Sequence, residues 1–294
     1  MTPEEFLKLG KLDEALAALQ DRVRANPSDA KLRTFLFQLL SVMGQWDRAS
    51  KQLDAAEQLD SKTIFLARFG KLAILCEQLR ADVFAGEKLP MVLGEPAEWV
   101  SWMIQANQYT AKGNHAAASQ LRAKAMDAAP TVSGTIAVAE RTAEGEKKVE
   151  HPFEWIADAD QRLGPILEVL VEGKYYWAPF DRIALISIDK PSDLRDTVWT
   201  SATIRWTSGG ETGAFIPTRY PGSEAHADPA IRMARSTLFE DLGGEDDIVC
   251  VGRGQRILAT DAGDYGIMDV RTIRLNSTLD LTGGDSASSS PAKE

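Results

Sequence analysis

The sequence predicts an α+β protein of two domains: a TPR-like stack of helical hairpins, then a mixed domain built on an antiparallel β-sheet with flanking helices. Two observations support this prediction. A helical repeat recurs near the N-terminus with a period of 34 residues. Strand-like runs that do not alternate with helices fill the second half, which is typical of an antiparallel sheet. The expected divisions are a helical domain at 1–130, a linker or flexible loop at 131–150, an α+β domain at 151–275 and a disordered tail at 276–294.

Composition limits the classes of function. Of the 294 residues, 44% are hydrophobic and 26% are charged, as in ordinary globular proteins. The net charge of −10 disfavours nucleic-acid binding, because that affinity depends on neutralising phosphates. The N-terminus lacks the basic-then-apolar order of a signal peptide, and no apolar run is long enough to cross a bilayer. We therefore expect a cytoplasmic protein that binds neither nucleic acid nor membrane.

A glycine, a bulky residue and an alanine mark each copy of the helical repeat. The first copy begins at Gly10, the second at Gly44 and a weaker third at Gly113, and Trp46 fills the bulky position of the second copy. A glycine at the end of a helix adopts the left-handed conformation at little cost, and the small alanine lets the next helix pack closely. We predict seven helices before Pro130.

The helix predicted over about residues 62–85 carries apolar side chains along its whole length. They are Phe65, Leu66, Phe69, Leu72, Leu75, Leu79 and Val83. Another helix begins at Pro96 and contains Trp99. At the N-terminus, Thr2 and Glu5 have the spacing of a capping box, which favours a helix start.

The second half changes to strand-like patterns. We first predict a helix over residues 153–173, broken at Gly164-Pro165. Strand-like runs follow at 182–188, 198–207, 213–217, 248–251, 256–259 and 267–273. Residues 206–211 are typical of a hairpin connection. Asp228-Pro229 indicates the start of a short helix that runs to about Leu238.

The densest group of polar and aromatic residues lies in the predicted helix after residue 153. On a helix, Asp158 and Arg162 would be four residues apart and could form an ion pair. Alternatively, Asp158 and Asp160 could be paired carboxylates for acid–base chemistry. Residues two apart on a helix do not face each other, so we favour helix-start charges with an ion pair, and Trp155 on the apolar side.

Two further segments are candidate binding sites. The run of Tyr175, Tyr176, Trp177 and Phe180 could form a partner-binding patch, although we favour a position in the core with one or two rings exposed. Arg219, followed by Tyr220 in a rigid loop, could hold a carboxylate or phosphate. The favoured interpretation is that Arg219 bonds to local carbonyls or to Asp228.

The sequence contains no motif for an activated nucleophile, a metal site or a phosphate loop. Cys76 and Cys250 lie among apolar residues, which favours buried free thiols over a disulfide. The three histidines lack the spacing of metal ligands. We therefore expect a protein without enzymatic activity, cofactor or metal.

Several sequence blocks resemble the ImpE/TagJ family of type VI secretion accessory proteins. In the second half they are PFEWIADADQRLGP at 152–165, YYWAPF at 175–180, DLRDTVW at 193–199 and PTRYPGSE at 217–224. In the helical half they are FLFQLL at 35–40, CEQLRADVFAG at 76–86 and GEPAEW at 94–99. The resemblance extends from the N-terminus to about Ile273, and it leaves out residues 135–150 and the tail.

This resemblance implies a cytoplasmic, non-enzymatic accessory factor of the contractile sheath. Family members are understood to bind an N-terminal helix of the small sheath subunit and to act near the AAA+ ATPase that recycles contracted sheath. The resemblance provides neither catalytic residues nor a docking face. The candidate partner-binding or family-signature residues are Trp46, Trp99, Trp155, Asp158, Asp160, Arg162, Tyr175, Tyr176, Trp177, Arg219 and Tyr220.

Two alternatives stay open at the level of sequence. A small-ligand-binding or hydrolytic domain in residues 151–275 could use Asp158, Asp160 and Arg219, which would then have to share one cleft. The C-terminal half could instead be a structural cap that makes the helical stack soluble.

Overall fold

The computed structural model describes residues 1–142, 145–244 and 248–276 of the chain. Except for Asn276, the tail predicted to be disordered lies outside the described residues. Residues 1–130 form seven α-helices, which confirms the predicted number. These helices are α1 Pro3–Lys8, α2 Leu12–Ala25, α3 Ala30–Val42, α4 Trp46–Leu59, α5 Ile64–Phe84, α6 Glu98–Ala111 and α7 His115–Ala128.

Three helical hairpins are formed by α1 with α2, α3 with α4, and α6 with α7. The predicted glycines connect the two helices of each hairpin. Gly10, Gly44 and Gly113 have φ values of +72°, +67° and +75°, in the left-handed region that only glycine adopts readily. The capping box of Thr2 and Glu5 is also present at the start of α1. The long helix α5 stands between the second and third hairpins.

The rest of the described chain is mainly β-structure. The strands are β1 Met91–Val92, β2 Gly134–Thr142, β3 Gly145–Phe153, β4 Ile156–Asp158, β5 Ile166–Val171, β6 Lys174–Pro179, β7 Ile183–Ile188, β8 Trp199–Trp206, β9 Glu211–Pro217, β10 Thr237–Leu242, β11 Val249–Gly254, β12 Ile257–Thr260, β13 Gly263–Gly266 and β14 Val270–Leu275. A short helix, α8, spans Pro229–Arg232, and single 3₁₀ turns lie at Ser61–Thr63, Phe180–Arg182, Leu194–Thr197 and Ser223–Ala225.

The main sheet has the order β1-β6-β5-β9-β8-β7-β14-β2-β3 within the described ranges. Its neighbours are antiparallel except for β1 and β6, which are parallel. Two small sheets, β10-β11 and β13-β12-β4, complete the C-terminal half. The predicted α+β class, with TPR-like hairpins followed by an antiparallel sheet, is confirmed.

The prediction of a linker or flexible loop at 131–150 is wrong. Strands β2 and β3 form a hairpin there, and β2 also pairs with β14. One face of β2 buries Ile136 and Val138, while most of β3 is exposed and charged, including Lys147 and Lys148. Charged edge strands of this kind resist aggregation, but their composition looks like that of a loop.

The prediction of a helix over residues 153–173 is also wrong. Strands β4 and β5 lie there, joined by a turn. All six residues of β5 are buried. A short apolar run buried on both faces cannot be separated from a buried helix by its periodicity. The helix predicted from Asp228 ends at Arg232 instead of Leu238, because β10 follows it.

The helices pack on one face of the main sheet and share its core. Tyr175, Trp177 and Trp199 project from the sheet into the same cluster as Phe37 and Val83 of the helices. A second apolar cluster lies on the opposite face of the sheet. The helical and sheet halves share this core, so the core does not separate them into two domains. The division into domains at 1–130 and 151–275 stays a prediction. None of the described helices is both long and apolar enough to cross a bilayer.

Candidate protein-binding site

Two carboxylates of the PFEWIADADQRLGP block, Asp158 and Asp160, lie in buried ionic contacts. Asp158 accepts hydrogen bonds from Arg256 and from the Tyr220 hydroxyl, the latter at 3.0 Å. The predicted ion pair between Asp158 and Arg162 is wrong, because these residues lie in a strand and a turn rather than on a helix. Arg162 pairs instead with Asp160, with Nε donating to Oδ1 at 2.9 Å. Both carboxylates are buried.

Glu168 of β5 is the centre of the network. Arg80 of α5 donates to it through Nε at 2.7 Å and Nη2 at 2.8 Å, and Arg256 and the Tyr175 hydroxyl also donate to it. Trp177 Nε1 in turn donates to the Tyr175 hydroxyl at 2.7 Å. Burial alone would raise the pKa of Glu168, but the two guanidinium groups outweigh burial and lower this pKa to about 2. The network therefore ties α5 to the sheet.

The carboxyl group of Asp158 has a perturbed pKa but no access to solvent. Burial raises this pKa to about 6, Arg256 partly offsets the rise, and the charge of Asp160 adds to it. A carboxyl with such a pKa could exchange protons near neutrality if a substrate reached it. Here the carboxylate is occupied by Arg256 and Tyr220 and by the main-chain N–H of Asp160 at 2.9 Å. The arrangement is that of a structural ion pair.

Arg219 joins the sheet half to the helical half. Its Nη1 donates to the carbonyl of Val42 at 2.8 Å and also to that of Arg232, and Nη2 donates to the carbonyl of Ser41 at 3.3 Å. Arg219 does bond carbonyls, but the prediction that these are local is wrong for Ser41 and Val42, which lie 178 and 177 positions away at the end of α3. The alternative bond to Asp228 is absent from its described contacts. Burial lowers the pKa of Arg219 to about 10, so it stays charged at neutral pH, as suits the negative end of a helix dipole.

The aromatic candidates are mostly core residues. Tyr175, Trp177 and Tyr220 are fully buried, and Trp99 is buried in the helical stack, while Tyr176 and Trp46 are partly buried. The Trp46 ring packs against that of Trp199, with 6.0 Å between the centroids. The favoured core position of the YYWAPF run is thereby confirmed. Trp155 was predicted on an apolar helix face, but it is 41% exposed and belongs to no helix.

An exposed apolar surface lies elsewhere, on α5. Phe65, Phe69 and Leu75 are 74%, 50% and 58% exposed. The opposite side of α5 packs tightly, because a Cβ added at Gly70 would meet Leu53 of α4 at 2.8 Å. A helix that is apolar all round is normally buried, and an exposed apolar stripe marks an interaction surface. The apolar run along the whole of this helix is the sequence signal for the surface, although no surface was predicted from it.

A groove of about 510 Å³ runs between α5 and the sheet. We call it the α5 groove. Its α5 wall contains Phe69, Leu72 and Cys76, and its sheet wall contains Leu170, Gly213 and Phe215. None of the eleven residues selected from the sequence lines it. The residues selected from the sequence are therefore mostly core residues, and the open apolar groove that can receive another chain lies apart from them.

Cys76 provides a chemical test of how closely α5 packs on the sheet. Burial, with a smaller contribution from the charge of Glu77, raises the pKa of the Cys76 thiol to about 12. At about pH 8, on the order of one such thiol in ten thousand is ionised. We therefore expect iodoacetamide to alkylate Cys76 far more slowly than the partly exposed Cys250, as measured by peptide mass spectrometry, with C76S and C250S to assign the signals. Equal rates at both cysteines would contradict this burial.

The helical hairpins and the antiparallel sheet define a TPR-containing α+β protein, and comparisons with known proteins show its family. The ImpE protein family matches residues 150–274, and a tetratricopeptide repeat matches residues 6–63. The type VI secretion system accessory component TagJ of Pseudomonas aeruginosa is 44% identical over 278 residues, which cover 95% of this chain and 92% of that protein. The chain belongs to the ImpE/TagJ family, and the resemblance drawn from its sequence blocks is confirmed.

A protein from Vibrio parahaemolyticus, solved by X-ray crystallography, has the same fold. Its TM-score is 0.79, and the alignment covers 93% of this chain and 97% of that chain. The two sequences are 23% identical. This likeness supports the arrangement of helices and sheet described above.

Proposed function

We propose that the protein is a non-enzymatic, cytoplasmic adaptor of the type VI secretion apparatus. It binds the small sheath subunit, through the N-terminal helix of that subunit, and modulates sheath assembly or its ATPase-driven recycling. Membership of the ImpE/TagJ family and the TPR-like hairpins support this proposal. A second proposed partner is the AAA+ ATPase that disassembles contracted sheath.

The observation that carries the proposal is the exposed apolar face of α5. An amphipathic helix docks by laying its apolar side chains into a hydrophobic groove. Phe65 and Phe69 are four residues apart and share a face, and Leu72 and Cys76 continue that stripe into the groove. From Phe65 to Cys76 the stripe is about 16 Å long, at about 1.5 Å per residue. This length matches about three turns of a bound helix.

Binding of the purified small sheath subunit tests the proposal. The intact subunit is expected to co-elute with the full-length protein in size-exclusion chromatography, and a subunit lacking its first helix is expected to elute separately. The same chromatography with the ATPase alone, without the sheath subunit, tests binding of the second proposed partner. Retained binding after removal of the first helix would contradict the helix-in-groove form of the proposal, and no binding of the intact subunit would contradict the adaptor itself.

The hydrolytic or small-ligand alternative gains no support from its own candidate residues. Asp158, Asp160 and Arg219 are all buried. The two aspartates are bound within the sheet half, and Arg219 is bound to the end of α3. Their charged atoms are engaged by arginine, tyrosine and main-chain groups. A substrate would have to open the core to reach them.

A further inference from the structure

We infer that the α5 groove selects a basic amphipathic segment, one whose apolar stripe is flanked by lysine or arginine. The carboxylates of Glu172 and Asp189 bind those basic side chains. This inference rests on the proposed function, since it assigns chemistry to the partner helix.

The shape of the groove suits a chain segment. Small residues on the sheet side, among them Thr203 and Gly213, leave room for inserted side chains across from Phe69. The apolar surface does not end with the groove, because Phe65 continues it by one helical turn. A compact ligand would fill the groove and leave Phe65 uncovered. A bound helix would cover the whole apolar stripe, including Phe65.

The charge of the groove has one sign. Among the residues that the structure describes, Glu172 and Asp189 are the charged ones that line it, and both are exposed. Neither carboxylate forms an ion pair with a lysine, arginine or histidine in the part of the chain that the structure describes. Opposite charges across an interface accelerate encounter and select the partner, while like charges exclude competitors. An acidic groove on a chain of net charge −10 therefore favours a basic partner.

The position of Glu172 is unusual for this side chain. Glu172 and Gly173 form the two-residue turn between β5 and β6, with φ values of +51° and +74°. Asparagine, aspartate or glycine is favoured at the first position of such a turn, and glutamate is not. The turn also packs closely on α5, since a Cβ added at Gly173 would lie 2.8 Å from Leu72. A role of the carboxylate outside the turn accounts for glutamate at this position.

Two synthetic helical peptides test the charge preference. Both are about 18 residues long, roughly five turns, with the same leucine stripe; one carries lysines along the edges of the stripe and the other glutamates. Fluorescence anisotropy with the full-length protein is expected to show about tenfold tighter binding of the lysine peptide, and rising salt is expected to reduce that difference. Equal affinity of the two peptides would overturn the inference.

A double variant tests whether the preference for the lysine peptide arises from Glu172 and Asp189. Glu172→Asn with Asp189→Asn is expected to reduce the preference for the lysine peptide by about three- to tenfold, because each exposed charge pair contributes modestly. The matched control is Asp13→Asn with Glu14→Gln on α2, which removes the same two charges from an exposed surface elsewhere. An equal effect of both double variants would show a response to net charge alone and would overturn the assignment to the groove.

The single variant Glu172→Asn separates recognition from structure. Asparagine suits the left-handed conformation, so this variant is expected to unfold at a higher temperature than the wild type while binding the lysine peptide more weakly. A purely structural glutamate would give unchanged binding, and that result would overturn the role of Glu172.

The small sheath subunit distinguishes failure of this inference from failure of the proposed function. If the wild type does not bind the subunit, the proposed function is wrong whatever the peptides do. If the wild type and the Glu172→Asn, Asp189→Asn variant bind the subunit equally tightly, the inference is wrong and the adaptor proposal stands. Sedimentation tests whether a second copy of the chain occupies the groove. A wild type that sediments as a dimer and a double variant that sediments as a monomer would show such a copy, and this result would also overturn the inference.

Discussion

Glu168→Ala is expected to lower the free energy of unfolding by about 3–5 kcal/mol. The substitution leaves the guanidinium groups of Arg80 and Arg256 buried without their shared carboxylate, and it removes the partner of the Tyr175 hydroxyl. An uncompensated buried charge costs far more than a lost surface ion pair. Urea denaturation followed by circular dichroism measures the change.

A matched substitution and the effect of pH make this expectation specific. Glu211→Ala removes an exposed glutamate at the start of β9 and is expected to change stability by less than about 0.5 kcal/mol. The pKa of Glu168 is about 2 in the folded protein, below its ordinary 4.5, so its stabilising contribution is full above about pH 4.5 and is lost as pH falls towards 2. Glu168→Ala should therefore lose less stability than the wild type as the pH falls across that acid range. Equal stability of wild type and Glu168→Ala near neutral pH would contradict the network.

Phe69→Glu is expected to weaken binding of the small sheath subunit by at least about 100-fold, which corresponds to about 2.7 kcal/mol. Phe69 is at the centre of the apolar stripe and lines the α5 groove, so the substitution buries a carboxylate against apolar side chains when the partner docks. Because Phe69 is 50% exposed in the free protein, the fold itself is expected to stay intact. Isothermal titration calorimetry measures the affinity, and circular dichroism checks the fold.

Two controls accompany Phe69→Glu. Leu238→Glu places the same charge on a similarly exposed apolar residue of β10, 44% exposed and on a separate small sheet, and it is expected to leave binding unchanged. Phe69→Leu keeps an apolar side chain and is expected to weaken binding only about tenfold or less. Equal losses from Phe69→Glu and Leu238→Glu would show that α5 is not the docking face.

Three of the blocks that resemble the family contribute to the contacts that hold its two halves together. Arg80 from CEQLRADVFAG meets Glu168 of the sheet, and Arg219 from PTRYPGSE meets the end of α3. Tyr175 and Trp177 from YYWAPF complete the same buried network. Such a sequence pattern identifies the family through its core, and it does not by itself identify the surface that binds a partner.

The helical half was predictable because its signals are local. A glycine with positive φ, a cap and an apolar stripe each act within a few residues, so seven helices and three hairpin glycines could be read from the chain. The errors at 131–150 and 153–173 concern strands. A strand is stabilised by partners distant in sequence, as β2 is by β14. The sequence of a short edge strand or of a fully buried strand contains no pattern that excludes a helix.

The sequence by itself determined the family, the TPR-like stack and the apolar character of α5. Only the tertiary structure decided which of those apolar side chains stay uncovered. The ion pair between Arg80 and Glu168 joins residues 88 positions apart, and it fixes α5 on the sheet so that Phe69 faces an open groove. Burial is a property of the whole packed chain, so a local pattern can place Phe69 on a helix without deciding whether it faces the core or a partner.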